Sequence, residues 1–211
     1  MADSQIYMVT GLGNPGKEYS QTRHNMGFIV VEELARRYTL SFTHSRFDAD
    51  VAKGIIQGKQ TILVKPQSYM NRSGYPVQKI SSYFKIETGN IIIVHDELDL
   101  PFGRIMVVKD RGHGGHNGIR SVIDAFGTKN FIRIRVGVGR PQQKTGGNVT
   151  GHVLGRFAGD EQKNIDHVIK TTADACVLIL SSDVNTAMNS VNSYNRHDRS
   201  DGVLASGHNE E

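Results

Sequence analysis

Short apolar runs of strand length alternate with longer stretches of helical period along most of this chain. A sequence built that way folds as a central sheet with helices packed on its faces. Ile6 to Thr10 reads as the first strand. Phe28, Val31, Leu34 and Ala35 then recur at helical spacing through about Tyr38, leaving Glu32, Glu33, Arg36 and Arg37 for the wet face. The runs 51–57 and 61–65 flank Gly58-Lys59-Gln60, a glycine-containing connection that predicts a hairpin and therefore a mixed sheet. A helix over 74–85 precedes the buried-strand run Ile91-Ile92-Ile93-Val94, which ends in His95-Asp96-Glu97. Strands are predicted over 104–109 and 131–138, with a helix between them carrying Ile119, Val122, Ile123 and Phe126. A long helix over about 160–180 and a shorter one near 185–194 complete the pattern. With 211 residues and 37% hydrophobic content, one core and one domain over 1–194 suffice.

Several function classes are disfavoured early. The N-terminus lacks the basic region and apolar stretch of a signal peptide, and no segment approaches about 18 apolar residues, so a soluble cytoplasmic protein without membrane contact is expected. The single cysteine, Cys176, lies in the run Ala175-Cys176-Val177-Leu178-Ile179-Leu180, where a buried thiol is expected rather than a nucleophile. From Asn195 to Glu211 the chain is polar and rich in glycine and charge, which predicts a frayed tail. A formal net charge of +4 suits a polyanionic partner without demanding one.

Chemistry concentrates in the loops. Gly11-Leu12-Gly13-Asn14-Pro15-Gly16 follows the first strand and matches the dinucleotide-binding pattern of glycines. In that fingerprint the last glycine belongs to the helix, whereas here the apolar period starts only around Met26, after the polar stretch 17–25. The acid expected to bind ribose would fall on Glu32 or Glu33, inside the helix. His24 stands just before that helix, where the dipole of the helix end disfavours imidazolium and leaves a neutral base. Asp96 follows the most apolar strand, at the sheet edge where open α/β folds present catalytic groups. A carboxylate accepting one imidazole N–H leaves the other nitrogen free to take a proton from water. Glu97 and Asp99 are neighbouring alternatives.

Three loops each supply a carboxamide, from Asn14, Asn71 and Asn117. Such groups hold a peptide backbone or an oxyanion without adding charge. Two other chemistries are weaker. His95, Asp96, His113 and His116 offer nitrogen and oxygen ligands to a metal, but no H-E-x-x-H spacing and no cysteine partner accompanies them. No G-x-S-x-G elbow supports a serine nucleophile.

Five ordered blocks, within roughly residues 5 to 194, resemble the bacterial-type peptidyl-tRNA hydrolases. They comprise 11–16 with Tyr19, 22–25 and Gly27; 65–74 with Tyr69-Met70-Asn71; His95-Asp96-Glu97-Leu98-Asp99-Leu100-Pro101; Gly114-Gly115-His116-Asn117-Gly118; and 133–141 with 153–157. The resemblance implies a monomeric α/β protein, a single-domain three-layer α/β/α sandwich around a twisted mixed sheet. It also implies hydrolysis, without cofactor or metal, of the ester joining a peptide to the 3′-terminal ribose of tRNA. In that reading His24 deprotonates water, Asp96 stabilises its basic form, and Asn14 distinguishes blocked from free aminoacyl groups. Asn71 and Asn117, with Met70 between Tyr69 and Asn71, hold the peptide, and Tyr19 and Tyr69 line the groove.

The partner fits the charge, since Arg104, Lys109, Arg111, Arg120, Lys129, Arg133, Arg135, Arg140 and Lys144 cluster in the middle third. The family grips the tRNA 5′-phosphate with a basic strand residue beside the arginine at the Arg135 position, but here that site holds Val108. The contact is therefore expected from Arg135 with Lys109, Arg104 or Arg111, although a regular strand turns Lys109 to the other face. The glycine-rich segment 144–151 is expected to form a mobile rim over the groove. The rival classes are a non-catalytic RNA-binding module using the same basic surface and a metal-dependent hydrolase built on the histidine loop. A module for single strands would carry more aromatics than the 7% found here, and no Trp is present.

Overall fold

The structure, a computed structural model, describes residues 5–141 and 147–197. Its frame is a seven-stranded sheet in the order β2-β3-β4-β1-β5-β7-β6. The strands are β1 (Ile6–Gly11), β2 (Thr43–Ser45), β3 (Ala49–Ile56), β4 (Lys59–Pro66), β5 (Ile91–Glu97), β6 (Ile105–Lys109) and β7 (Ile132–Gly137). β4, β1, β5 and β7 run parallel, while β2, β3 and β6 are antiparallel to their neighbours, so the sheet is mixed as the hairpin signal predicts. The parallel strands β1 and β5 hold the middle because their side chains are apolar on both faces, and only a doubly covered position buries both.

Each face has its own core, which makes three layers. On one side α1 (Met26–Arg37), α5 (Asp160–Ser181) and α6 (Val184–His197) cover Val9, Ile92, Val94, Ile132 and Ile134. On the other, α2 (Gly74–Tyr83) and α3 (Asn117–Phe126) cover Met8, Ile62, Ile91, Ile93 and Phe131. The helical stripe of α1 buries Val30, Val31 and Leu34 completely, and each such side chain contributes about 1.5–3 kcal/mol. Cys176 is fully buried in α5, where burial pushes its thiol up to about 12 and leaves it no role as a nucleophile.

Several boundaries differ from the expectations for local reasons. The hairpin turns on Gln57-Gly58 alone, both at positive φ (49° and 73°), so Lys59 already pairs with Ile56 and β4 begins two residues early. The edge strand β2 is three residues long and largely exposed, and lacks the apolar alternation that announces a strand. Asp96 lies inside β5 rather than just past its end, because Asp96 and Glu97 pair with Val136 and Gly137 on β7. α6 continues through His197, past the expected boundary at Asn195; residues 198–211 of the predicted tail lie outside the described residues. Of the expected mobile rim, residues 144–146 likewise lie outside them, whereas Val149–Val153 forms a short helix, α4, started by the Asn148 side chain.

Gly11 and Gly27 let α1 begin against the ends of β1 and β5. A β-carbon on Gly27 would overlap the backbone nitrogen of Leu12 and the carbonyl of Val94, and one on Gly11 would overlap the carbonyl of Gly27. The second glycine of the apparent nucleotide motif, Gly13, instead lies against the Phe28 ring. Gly27→Ala should therefore lift α1 from the sheet and cost about 1–3 kcal/mol, read as a lower urea midpoint. An unchanged midpoint would show that the contact relaxes freely.

Candidate active site

The chain passes from β1 towards one edge of the sheet and returns to lay β5 on the other side of β1. The crevice beyond the carboxyl ends of these two strands is therefore a topological switch point. Leu12 N–H donates to the Val94 carbonyl at 2.9 Å, joining the loop after β1 to β5. Further along, Arg23 N–H donates to the Gly155 carbonyl at 3.1 Å. The buried Arg23 guanidinium donates to the Arg156 carbonyl at 2.9 Å, pairs with Glu161 and lies 5.3 Å from the centre of the Phe157 ring. Arg23–Asn25 is a single 3₁₀ turn leading into α1, so His24 is held between the sheet and the segment before α5.

His24 Nδ1 lies 3.0 Å from both carboxylate oxygens of Asp96 and donates to them. Its Nε2 has no partner among the described residues, and the ring lines a pocket. Burial disfavours the imidazolium, but the charge and hydrogen bond of Asp96 outweigh it and raise His24 above the ordinary histidine value. This reverses the expectation drawn from the helix dipole, because a buried carboxylate in contact outweighs partial charges at a helix end. Burial alone would raise the Asp96 carboxyl; His24 and His116 together hold it well below the usual carboxylate range.

The rival carboxylates are engaged elsewhere. Glu97 accepts from Arg135 Nε at 2.8 Å, and Asp99 accepts from Arg140 Nε at 2.9 Å. The histidines gather differently from the metal reading. His95 Nδ1 donates to the Asp96 carbonyl at 2.7 Å, and His113 Nδ1 accepts from Gly115 N–H within its own loop. His24, Asp96 and His116 do converge, with ligand atoms within 4.8 Å of one another. Yet His116 Nδ1 accepts from Ile119 N–H at 3.2 Å, so its proton sits on Nε2, which donates to Asp96 at 3.0 Å. A metal at that nitrogen would force a proton onto Nδ1, against the N–H of Ile119. The donor set suits a hydrogen-bonded network better than a coordination site.

The pocket, of about 640 Å³, is lined by Asn14, Tyr19, His24, Tyr69, Met70, Asn71, Asp96 and Asn117, all singled out from the sequence. Asn14 is fixed twice over. Its backbone exchanges two 2.9 Å hydrogen bonds with the Asn25 amide, and its Oδ1 accepts from Met70 N–H at 2.8 Å. Its Nδ2 is thus the atom left for a ligand, a donor only. Asn25, His116 and the α4 residues Val149, Thr150 and Val153 were not assigned to the site from the sequence. The signal for His116 was its place just before the apolar period of α3, where a cap is required.

The basic residues are not in this lining, apart from Arg140. Arg135 shares a sheet face with Arg133, whose register partner on β6 is Val108. Lys109 pairs with Ile132 and so lies on the face opposite Arg135, as expected of a regular strand. Arg104 precedes β6 and its carbonyl accepts from Gly137 N–H at 2.7 Å. Arg133 is buried, and its Nε has no partner among the described residues. Burial, with Arg135 and Arg111 nearby, lowers it to about 10.

Among the described residues no helix is long and apolar enough to cross a membrane. The profile of the family described as Peptidyl-tRNA hydrolase matches residues 8–200. The chain is 39% identical to the Clostridium perfringens peptidyl-tRNA hydrolase over 190 residues, covering 90% of this chain and 99% of that one. It is 40% identical to the Bacillus cereus enzyme of the same name over 186 residues, 88% and 99% of the two chains. The crystal structure of peptidyl-tRNA hydrolase from Acinetobacter baumannii superposes with a TM-score of 0.83 at 41% identity, covering 90% of this chain and 95% of that one. With ordered blocks, fold and pocket all in agreement, the chain belongs to the peptidyl-tRNA hydrolase family.

Proposed function

We propose that this chain, acting as a monomer in the cytoplasm, hydrolyses the ester between a peptide and the 3′-terminal ribose of tRNA, with His24 as general base. The observation that carries the reading is the His24–Asp96 pair at one wall of a pocket that also presents Asn14, Asn71 and Asn117. His24 Nε2 takes a proton from water as its oxygen bonds to the ester carbonyl carbon, while Nδ1–H stays on Asp96. Carboxamide N–H groups receive the charge that develops on the carbonyl oxygen. Collapse breaks the bond to the ribose oxygen, which takes the proton from the imidazolium. The peptide acid, which loses its remaining proton to solvent, and tRNA with a free hydroxyl leave. No step requires a metal or cofactor.

Selectivity follows from Asn14. With Oδ1 occupied by Met70 N–H, its Nδ2 can reward a carbonyl acceptor in a blocked amino group but offers nothing to an α-ammonium, itself only a donor. Tyr19, Tyr69 and Met70 supply apolar contact, with Asn71 and Asn117 on the peptide main chain. For the tRNA phosphate, Arg135 acts with Arg104 or Arg111, since Val108 supplies no charge at the neighbouring strand position.

Cleavage of N-acetyl-aminoacyl-tRNA and of unblocked aminoacyl-tRNA, side by side in EDTA, tests the reading. Wild type should cut only the blocked substrate, and His24→Ala should be slower by roughly 10² or more. No cleavage by folded wild type would favour an RNA-binding module, and loss of activity only in EDTA would favour a metal-dependent hydrolase. Because Asp96 raises His24, kcat/KM should rise with pH through a value above 6.5. Asp96→Asn should move that limb downward while lowering the maximum rate; a limb that stays put would detach His24 from it. Finally, Arg135→Ala should flatten the salt dependence of tRNA binding by a slope of about 1 and leave small ester substrates unaffected. Equal losses on both substrates would make Arg135 structural.

A further inference from the structure

Asp96 is 2% exposed, and two imidazoles from different loops reach it. Only His24 has a role in the reaction above. His116 is the N-cap of α3: its backbone is extended (φ −74°, ψ 115°), and its Nδ1 takes the place of the serine or aspartate oxygen that usually caps a helix, accepting from Ile119 N–H. A shorter cap would satisfy that N–H equally well. It would not extend to Asp96, because the donor lies on the far side of the ring. A histidine does both, and the cap bond settles which nitrogen holds the proton.

We propose that His116 is a positioning residue for the base: α3 locks its ring and tautomer, its Nε2–H holds Asp96, and Asp96 in turn holds the His24 imidazole. This rests on the esterase reading above. The ring is confined on its other sides. His95 packs edge-on against it at 4.7 Å between centroids, the His24 ring is 5.2 Å away, and a β-carbon on Gly118 would press on Met70 Sδ and His116 Cε1. The next residue, Asn117, lines the pocket, so the helix start that fixes His116 also places one substrate-facing carboxamide. The ionisable groups around the trio are His24 from the 3₁₀ turn, His95 from β5 and His116 from α3. Arg133, Arg135 and Glu97 share the sheet face of His95, opposite to the one that Asp96 projects from.

Two substitutions separate the cap from the donor. In His116→Asn the side-chain oxygen matches Nδ1 and keeps the cap, but no N–H reaches Asp96. In His116→Gln the amide nitrogen lies as many bonds from the backbone as Nε2 and restores the donor while weakening the cap. The Asn variant should keep its melting temperature within a few degrees yet lose roughly 10-fold or more in kcat on N-acetyl-aminoacyl-tRNA, with KM little changed. Its acid limb should move to higher pH, since Asp96, with one donor fewer, holds the His24 proton more tightly. The Gln variant should recover most of kcat and return the limb, despite a lower melting temperature.

An Asn variant with wild-type kcat and limb would overturn the proposal. So would two variants whose activities simply follow their stabilities with the limb unmoved. Imidazole NMR of the free protein gives a reading independent of turnover. His116 should show the Nε2–H tautomer, and the His24 titration should shift in the Asn variant and not in the Gln variant. If wild type cleaves nothing while these NMR shifts occur, the esterase reading fails and the positioning role stands. If wild type cleaves and the NMR titration is unmoved, the reverse holds.

Discussion

A carboxylate taken out of water must recover the hydrogen bonds it has lost, and Asp96 recovers them from His24 and His116. Much of the surrounding structure can be understood from that requirement. The charge of Asp96 sets the tautomer of His24 and raises its proton affinity, and burial keeps the interaction strong by excluding solvent. The two imidazoles in turn hold the carboxyl ionised. Because the pair is coupled, neither group has a reactivity of its own.

Bringing three separate segments to one carboxylate is a packing problem, solved mostly by absent side chains. α1 approaches the sheet through Gly11 and Gly27, and α3 starts against Met70 through Gly118. Arg23 pins the other side of the His24 turn to the segment before α5 by the carbonyls it donates to and by Glu161. The site is therefore supported from both helical layers of the sheet, which restrains the drift of His24 relative to the asparagines.

Asn14 illustrates the same economy. Its side chain is oriented by Met70 N–H and its backbone by the Asn25 amide, so three neighbouring polar groups end with one unpaired donor on the pocket. On the proposed reading, that donor separates a peptide from an amino acid attached to the same tRNA. The discrimination needs no additional charge, only an amide that cannot flip without losing a buried hydrogen bond.

The alternation of apolar runs was enough to determine the fold class, because strand and helix periods are local properties, and the ordered blocks were enough to identify the family. His24, Asp96 and the three asparagines were also legible as candidates, from their places just before a helix, after the most apolar strand and in the loops. What local pattern does not carry is which side chains meet. Glu97 and Asp99 were as near in sequence as Asp96, and only the sheet pairing sends them to Arg135 and Arg140. Lys109, Arg104 and Arg111 were all candidates to stand beside Arg135 at a phosphate, and the β6–β7 register places Lys109 on the face opposite Arg135. The sign of the His24 shift and the part played by His116 likewise depend on contacts between residues about 70 and 20 positions apart, with a buried carboxylate overriding the helix end that sequence reasoning had to rely on.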